Sequence, residues 1–345
     1  MERLTVGIAG TSKNTGKTTT MSCLMSEIKK HGGFTLGLTS IGYDGESFDN
    51  VTGLPKPRID VWPDTIAAVA ERCLTSGSAA LQELTRTDII TPLGNVVICR
   101  VTAPGKLILA GANNRRDLGV VLELLRDLAD ITIIDGAFSR IAPMAEADCL
   151  IIATGAARTT DIPRLAQESG CIVDILSIPA MAERGKTTAI SSVLSRAGFA
   201  IFTEKSAAAD TICIRGVVSV SYLEELVRFG GDTLSGKRFL FADPLKLILA
   251  GDILQVKEAL RDMSCADIEV GVAKSCDLLA MTVNPYYPRY RFERADYMAA
   301  YVDSEELLDS VGGSIGIPCY DVVRQGGQGL FAEVMHFIRR MQQGI

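Results

Sequence analysis

The run Gly10-Thr11-Ser12-Lys13-Asn14-Thr15-Gly16-Lys17-Thr18 places small residues, hydroxyls and two lysines in an order suited to holding a polyanion. Backbone N–H groups at a helix N-terminus converge on negatively charged oxygens, and the helix dipole favours them there. A glycine at position 16 removes the Cβ that would stand between backbone and ligand. Lys17 is then placed to reach the β- and γ-phosphates of a nucleoside triphosphate, and the Thr18 hydroxyl is a Mg2+ ligand. Gly10, Lys13, Asn14, Thr15 and Thr19 complete the expected binding set. ATP and Mg2+ are the expected cofactors. Lys13 either touches phosphate or is solvated at the loop crest.

A second constellation is Ile131-Thr132-Ile133-Ile134-Asp135-Gly136-Ala137-Phe138. An apolar strand that ends in a carboxylate beside a loop can present that carboxylate to Mg2+, directly or through water. A plain Asp-Gly turn is the simpler reading. The preceding anion loop favours the metal role. Between the two, residues 41–59 form a long polar stretch carrying Asp44, Glu46 and Asp49. Asp44 and Glu46 would orient an attacking water or hold the outer shell of the metal. A solvated acidic turn is the equal alternative, with Asp44 favoured because Tyr43-Asp44-Gly45 is a tight turn. Lys17, Asp44 and Asp135 are therefore the candidate catalytic residues. Arg140 and Arg158 both leave sheet edges, and surface arginine is the preferred reading of each. A second Gly-Lys-Thr at 185–187 has no glycine loop or clear strand before it and reads as chance.

Positioning the first loop requires a strand over 6–9 and a helix behind it, signalled by Met21, Leu24, Met25 and Ile28 at helical spacing. Further strands are expected over 34–40, 96–101, 107–110, 131–134, 147–154, 211–216, 239–242 and 277–283. Helices are expected over 64–74, 117–128 (capped by Asn113 or Asn114), 223–229, 253–260, 295–302 and 330–341. The alternation implies an α/β fold: a doubly wound, mostly parallel sheet, with ligands gathered at the carboxyl ends of its strands. A second α/β region is expected at the C-terminus, dividing the chain into 1–210 and 211–345.

The chain has 345 residues, 47% of them hydrophobic, and a net charge of −6, which suits a well-buried α/β protein. Basic blocks with interleaved aromatics are not apparent, which argues against a nucleic-acid partner. The opening residues do not read as a signal peptide, and no apolar run has membrane-spanning length. A cytoplasmic protein is expected. Nine cysteines occur with no C-x-x-C pair, several inside apolar runs, so reduced buried thiols are expected, with a metal cluster shared across a dimer as the alternative. Two histidines, His31 and His336, exclude a mechanism that needs several.

The usual formula G-x-x-x-x-G-K-[ST] would put its first glycine at Thr11; here it stands at Gly10. This longer spacing resembles the loop of dethiobiotin synthetases. The run K-N-T-G-K-T-T resembles that of the molybdopterin-guanine dinucleotide accessory protein MobB. Both belong to the SIMIBI class of P-loop NTPases, together with MinD and nitrogenase iron protein. The resemblance covers the loop and the later Asp-Gly. It implies a P-loop fold, a Gly136 N–H that senses the γ-phosphate, and a homodimer. In MinD-type proteins a second loop lysine, five residues before the main one, crosses to the partner's nucleotide; here that position is Ser12, and Lys13 stands four before. An Asn-Lys-x-Asp guanine element is missing, which tilts the base towards adenine. Asn284 resembles the asparagine that some of these proteins use on the adenine amide edge, or else simply ends a strand before Pro285. The runs T-S-I-G-Y-D-G-E, V-T-A-P-G-K-L-I-L-A-G and T-V-N-P-Y resemble a bacterial family whose genes accompany adenosylcobalamin-dependent lysine 5,6-aminomutase. That resemblance implies an ATP-using reactivase component with a protein partner. Three functions follow as expectations: an ATPase switch or reactivase for a partner enzyme, a ligase that activates a small carboxylate with ATP, and a non-enzymatic nucleotide-binding or metal-carrier module.

Overall fold

Every residue of Leu4–Gly10 is buried, so this short apolar run must form a strand covered on both faces. It is strand β1 of a computed structural model that describes residues 3–42, 59–230 and 233–343. In chain order there follow α1 (Lys17–His31), β2 (Leu36–Ser40), β3 (Ile59–Val61), β4 (Ile66–Ala70), β5 (Ala80–Thr91), β6 (Gly94–Ala103), β7 (Gly105–Leu107), α2 (Arg115–Arg126), β8 (Ile131–Ala137), β9 (Cys149–Gly155) and α3 (Ile162–Leu176). Next come β10 (Thr187–Ile190), α4 (Arg196–Ala207), β11 (Thr211–Ile214), α5 (Val220–Gly230), β12 (Arg238–Phe241), α6 (Leu245–Ile248), α7 (Ile253–Cys265) and β13 (Glu269–Val272). The chain closes with β14 (Asp277–Asn284), β15 (Tyr286–Arg291), β16 (Asp296–Tyr301), α8 (Ser304–Ser314), β17 (Cys319–Tyr320), α9 (Val322–Gln325) and α10 (Gln328–Gln343).

The chain forms two compact units. One comprises Met1–Ala166 with Leu278–Ile345; the other is Gln167–Asp277. The expected single break near residue 210 is thus replaced by an insertion, and the last part of the chain returns to the first unit. No low-complexity linker marks either junction: the first falls inside helix α3.

The first unit is built on a sheet of order β17-β14-β9-β1-β8-β2-β4-β6-β5. Strands β9, β1, β8, β2 and β4 pair in parallel with one another in that order, whereas β6 pairs antiparallel with β4 and β5 antiparallel with β6. The result is α/β with a large, mixed, mostly parallel sheet. Its core joins Val6 and Ile8 of β1, Leu24 and Ile28 of α1, Ile133 of β8 and Val334 and Phe337 of α10. The inserted unit has its own parallel sheet, in sequential order β10-β11-β12-β13. There, Gly185-Lys186-Thr187 leads into strand β10 rather than a helix, and Asp210 accepts from the Lys186 N–H at 2.8 Å. It lacks the strand–loop–helix setting of an anion site.

Two expected helices are strands. Residues 66–70 are Ile-Ala-Ala-Val-Ala, all buried as β4, followed by a short 3-10 turn at Glu71–Thr75. A short fully apolar run has no periodicity to separate buried strand from helix. Residues 295–302 contain β16 instead, because cross-strand aromatic pairs, Tyr286 with Tyr301 and Tyr290 with Tyr297, hold it against β15. The strands β3, β5, β10, β13, β15 and β17 and the helices α3, α4, α6, α8 and α9 have no counterpart among the expected elements. The remaining elements agree to within a few residues, and Asn114 caps α2 by accepting from the Asp117 N–H at 2.9 Å.

Burial pushes the thiols of Cys99, Cys276 and Cys319 from the ordinary 9.0 up to about 12, and those of Cys73 and Cys213 to about 11. These groups keep their protons in the folded chain above pH 9, while the unfolded chain releases them. Stability is therefore lost as the pH climbs from about 9 towards 11–12. At neutral pH an aromatic disulfide reagent should label exposed Cys265 promptly and buried Cys73 and Cys99 only on unfolding; prompt labelling of Cys99 in the native protein would contradict its burial. A second prediction concerns Gly155, where an added Cβ would lie 2.2 Å from the Asn284 carbonyl oxygen. Backbone cannot swing aside as a side-chain tip can, so Gly155→Ala should cost about 1–3 kcal/mol in urea unfolding.

Candidate functional site

The Gly10–Thr18 loop leaves the carboxyl end of β1 and enters α1. Its N-cap is Gly16, held at φ 90° and ψ 9°, a left-handed conformation natural to glycine. No side chain caps the helix, so its first amides are left for a ligand. An added Cβ at Gly16 would meet the Asn284 Cβ at 3.1 Å, a close approach that also needs glycine. Asn14, at the crest, also has a positive φ of 63°.

The loop carbonyls are tied down from outside. Asn284 Nδ2 donates to the Asn14 oxygen at 3.0 Å, Thr15 Oγ1 to the Ser12 oxygen at 2.9 Å, and Arg158 Nη1 to the Thr11 oxygen at 3.3 Å. The Thr11 amide donates to the Ala153 oxygen at 2.9 Å, and its hydroxyl to that of Thr154 at 3.0 Å. With the Thr11, Ser12 and Asn14 carbonyls already engaged in bonds within the protein, the loop is held in one conformation.

Lys17 Nζ lies 2.8 Å from Asp135 Oδ1, each side chain about one-fifth exposed. Parallel pairing of β1 with β8 produces this meeting, since Ile8 faces Asp135 and Gly10 faces Ala137. The contact is an ion pair without hydrogen-bond alignment, and Asp135 Oδ1 is otherwise buried without a donor. A buried carboxylate oxygen in that state fits a divalent cation, and Thr18, next to Lys17 on the first turn of α1, adds a neutral oxygen of the right type. Among the described residues no group of three or more His, Cys, Asp or Glu side chains is arranged to hold a metal unaided. A Mg2+ ion here would therefore share its shell with ligand oxygens or water.

The loop borders a cleft of about 600 Å³, lined by Gly10–Thr19, by residues 137–140 and by Asn284 and Tyr286. The candidate residues Gly10, Lys13, Asn14, Thr15, Gly16, Lys17, Thr18, Thr19 and Asn284 are thus brought together on one cavity. Lys13 is exposed on it. Gly136 is buried inside β8, and the wall begins one residue later at Ala137. Asp44, with Glu46 and Asp49, lies outside the described residues. Asn284 acts as a brace: one Nδ2 hydrogen goes to the Asn14 oxygen, and its Oδ1 accepts from the Tyr286 N–H at 3.2 Å, which leaves a second N–H on this cleft-lining side chain.

The preferred surface reading of the two arginines does not hold. Arg140 lines the cleft, and Arg158 bonds the loop backbone. Phe138, Ser139 and Tyr286 also line it, and no sequence motif announces them; adjacency to Asp135-Gly136 and to Asn284-Pro285 is the only available signal. None of the helices among the described residues is long and apolar enough to cross a membrane. No known family model matches this chain, and no curated protein matches it.

Proposed function

We propose that the cleft binds a Mg2+–nucleoside triphosphate, with ATP the first candidate, and that the chain hydrolyses it slowly as a nucleotide-dependent switch for a partner enzyme. The observation that carries this reading is the Lys17–Asp135 pair at 2.8 Å, at the foot of a loop whose Thr11, Ser12 and Asn14 carbonyls are already hydrogen-bonded within the protein. Strand, glycine-bearing loop, Lys-Thr and helix, with an Asp at the end of the adjacent strand, is the arrangement of a P-loop NTPase, and the resemblance to SIMIBI loops points the same way.

The ion pair suits an exchange. A unit-charge pair near a protein surface gains about 4 kcal/mol of Coulomb energy at 4 Å, before desolvation. A polyphosphate carries several negative charges, so Lys17 moves from one carboxylate oxygen to phosphate oxygens without losing its attraction. Asp135, released, would be available with Thr18 to hold Mg2+, which would supply charge neutralisation for the polyphosphate. Loop amides and Lys17 then hold the terminal phosphate while a water oxygen bonds to the γ-phosphorus. The bond to the bridging oxygen breaks, leaving nucleoside diphosphate and inorganic phosphate. Arg140, which also lines the cleft, would supply a further cation for the charge that develops. Asp44 is the sequence-based candidate to orient the water.

Lys17→Ala should weaken Mg2+–ATP binding by at least a hundredfold in calorimetric titration; unchanged affinity would overturn the nucleotide reading. Asp135→Asn should keep ATP binding within a few-fold and cut Mg2+-dependent phosphate release by about a hundredfold or more. Wild-type turnover in that variant would remove Asp135 from the metal role. Phosphate release that requires an added small carboxylate would favour the ligase over the switch.

A further inference from the structure

We infer that strand β16 is a docking edge for β16 of a second copy of this chain, the two strands pairing antiparallel about a twofold axis at Ala299. The loop resemblance implies a homodimer but no surface for it. The β15–β16 ribbon supplies one, whether or not the cleft binds a nucleotide.

The Val302 N–H donates to the Pro285 oxygen at 3.0 Å, just outside the ribbon. Continuing that register, the hydrogen-bonded pairs are Tyr287 with Ala300, Arg289 with Met298 and Arg291 with Asp296. The main-chain groups of the intervening residues point away from the ribbon. On β15 these are Tyr286, Pro288 and Tyr290. Pro288 has no N–H, and the Tyr286 N–H is taken by Asn284 Oδ1 at 3.2 Å, so this edge is closed to a further strand. On β16 the outward residues are Tyr297, Ala299 and Tyr301. Among the described residues no other strand pairs with β16, and the N–H groups of these residues make no main-chain hydrogen bond.

An open strand edge is ordinarily protected by charge, proline or a bulge. Edge strand β5 has such protection: it carries Glu83, Arg86 and Asp88, and its register shifts along its length. Residues 297–301, Tyr-Met-Ala-Ala-Tyr, have no charge, no proline and no register shift. A two-stranded ribbon is also marginal in water, and additional strands stabilise it.

Self-complementarity selects the occupant. With Ala299 opposite its own twin, Tyr297 faces the second copy's Tyr301, and Met298 faces the second copy's Ala300. In this register the outward N–H and C=O groups of Tyr297, Ala299 and Tyr301 all find partners. The alternation of a strand puts these residues on one ribbon face with Tyr286 and Tyr290. The tyrosine pairs that already hold the ribbon, with ring centroids 5.8 and 5.1 Å apart, thus continue as one aromatic row across the axis. On the other face a large Met298 meets a small Ala300. Tyr301 is 66% exposed and Met298 42% exposed in the single chain, and the pairing covers both.

The test is analytical ultracentrifugation of the full chain. Wild type should show a monomer–dimer equilibrium with a Kd of about 100 µM or tighter. Ala299→Glu, at an exposed position, sets two like charges opposite each other across the axis and should weaken the dimer by at least about tenfold. Ala299→Gln should stay within about threefold of wild type, since it adds bulk without charge. Cysteines read the register. A mixture of Met298→Cys and Ala300→Cys chains should form a disulfide between the two variants under mild oxidation, identified by peptide mass, because facing residues of a non-bonded pair lie about 4.5 Å apart at Cα. Either variant alone should form none at that position. The inference is overturned if wild type remains monomeric well above 100 µM, if folded Ala299→Glu dimerises as wild type does, or if the mixture cross-links no more than each variant alone. Should Ala299→Glu fail to fold, the cysteine mixture decides.

Discussion

Parallel pairing between β1 and β8 is the constraint from which the site follows. In-register pairing sets Ile8 opposite Asp135 and Gly10 opposite Ala137, so both strands deliver their loops to one edge of the sheet. A slip of one residue would turn the Asp135 side chain to the other face, away from Lys17. Burial enforces the register: Val6, Ile8, Ile131 and Ile133 are wholly enclosed, and a slip would drive each from its place in the core. Apolar packing thus fixes an ionic contact that would be weak on its own, since two partly exposed charges gain little net energy from each other. Its value lies in placing a cation and a carboxylate where a polyanion and a divalent cation can replace their mutual attraction.

The same logic governs the loop. Main-chain amides bind an anion well only if they already point at it, because ordering backbone on binding costs roughly 1–2 kcal/mol per residue. Here the ordering is done by neighbours: Asn284 from β14, Thr154 and Arg158 from the end of β9, and Thr15 within the loop. Thr20 extends the bracing into the helix, its hydroxyl 2.7 Å from that of Thr282 on β14. Two close approaches, at Gly16 and Gly155, let β14 come near enough to act as a brace. The strands on the far side of β1 from β8 are therefore part of what holds the loop in place, although they contribute few residues to the cleft wall.

This division of labour explains what could be read from the sequence. The loop and Asp135 were legible because their chemistry is local: glycine, lysine and threonine must be contiguous to form the cradle, and a carboxylate must follow its strand. The parallel sheet was legible from apolar runs such as residues 131–134. The cleft wall at Phe138, Ser139 and Tyr286 was not, because membership of a cavity depends on strand order. Asn284 stands out in the sequence by its type and its place before Pro285, yet its bonds to Asn14 and Tyr286 depend on tertiary position alone. The misread segments fail for the same reason in reverse. Buried β4 carries an all-apolar run with no period to read, and β16 is alanine- and methionine-bearing sequence held as a strand by tyrosines across the ribbon.

The discontinuity of the first unit carries a folding cost that topology keeps small. The Asn284–Asn14 bond joins residues 270 positions apart. Loop-closure entropy grows only logarithmically, by about 0.6 kcal/mol per doubling of length, so such separation is tolerable once a core exists to reward it. Residues 167–277 form a compact unit with a sheet of consecutive parallel strands, each pairing with the next in sequence. Those contacts are relatively local, and their formation shortens the effective loop that β14 must close to reach β9. The insertion thus interrupts the first unit in sequence without disrupting its sheet. The insertion also stands ahead of the strand that braces the Gly10–Thr18 loop, so the bonds from Asn284 to Asn14 and from Thr282 to Thr20 form only once β14 has docked beside the strands that precede the insertion.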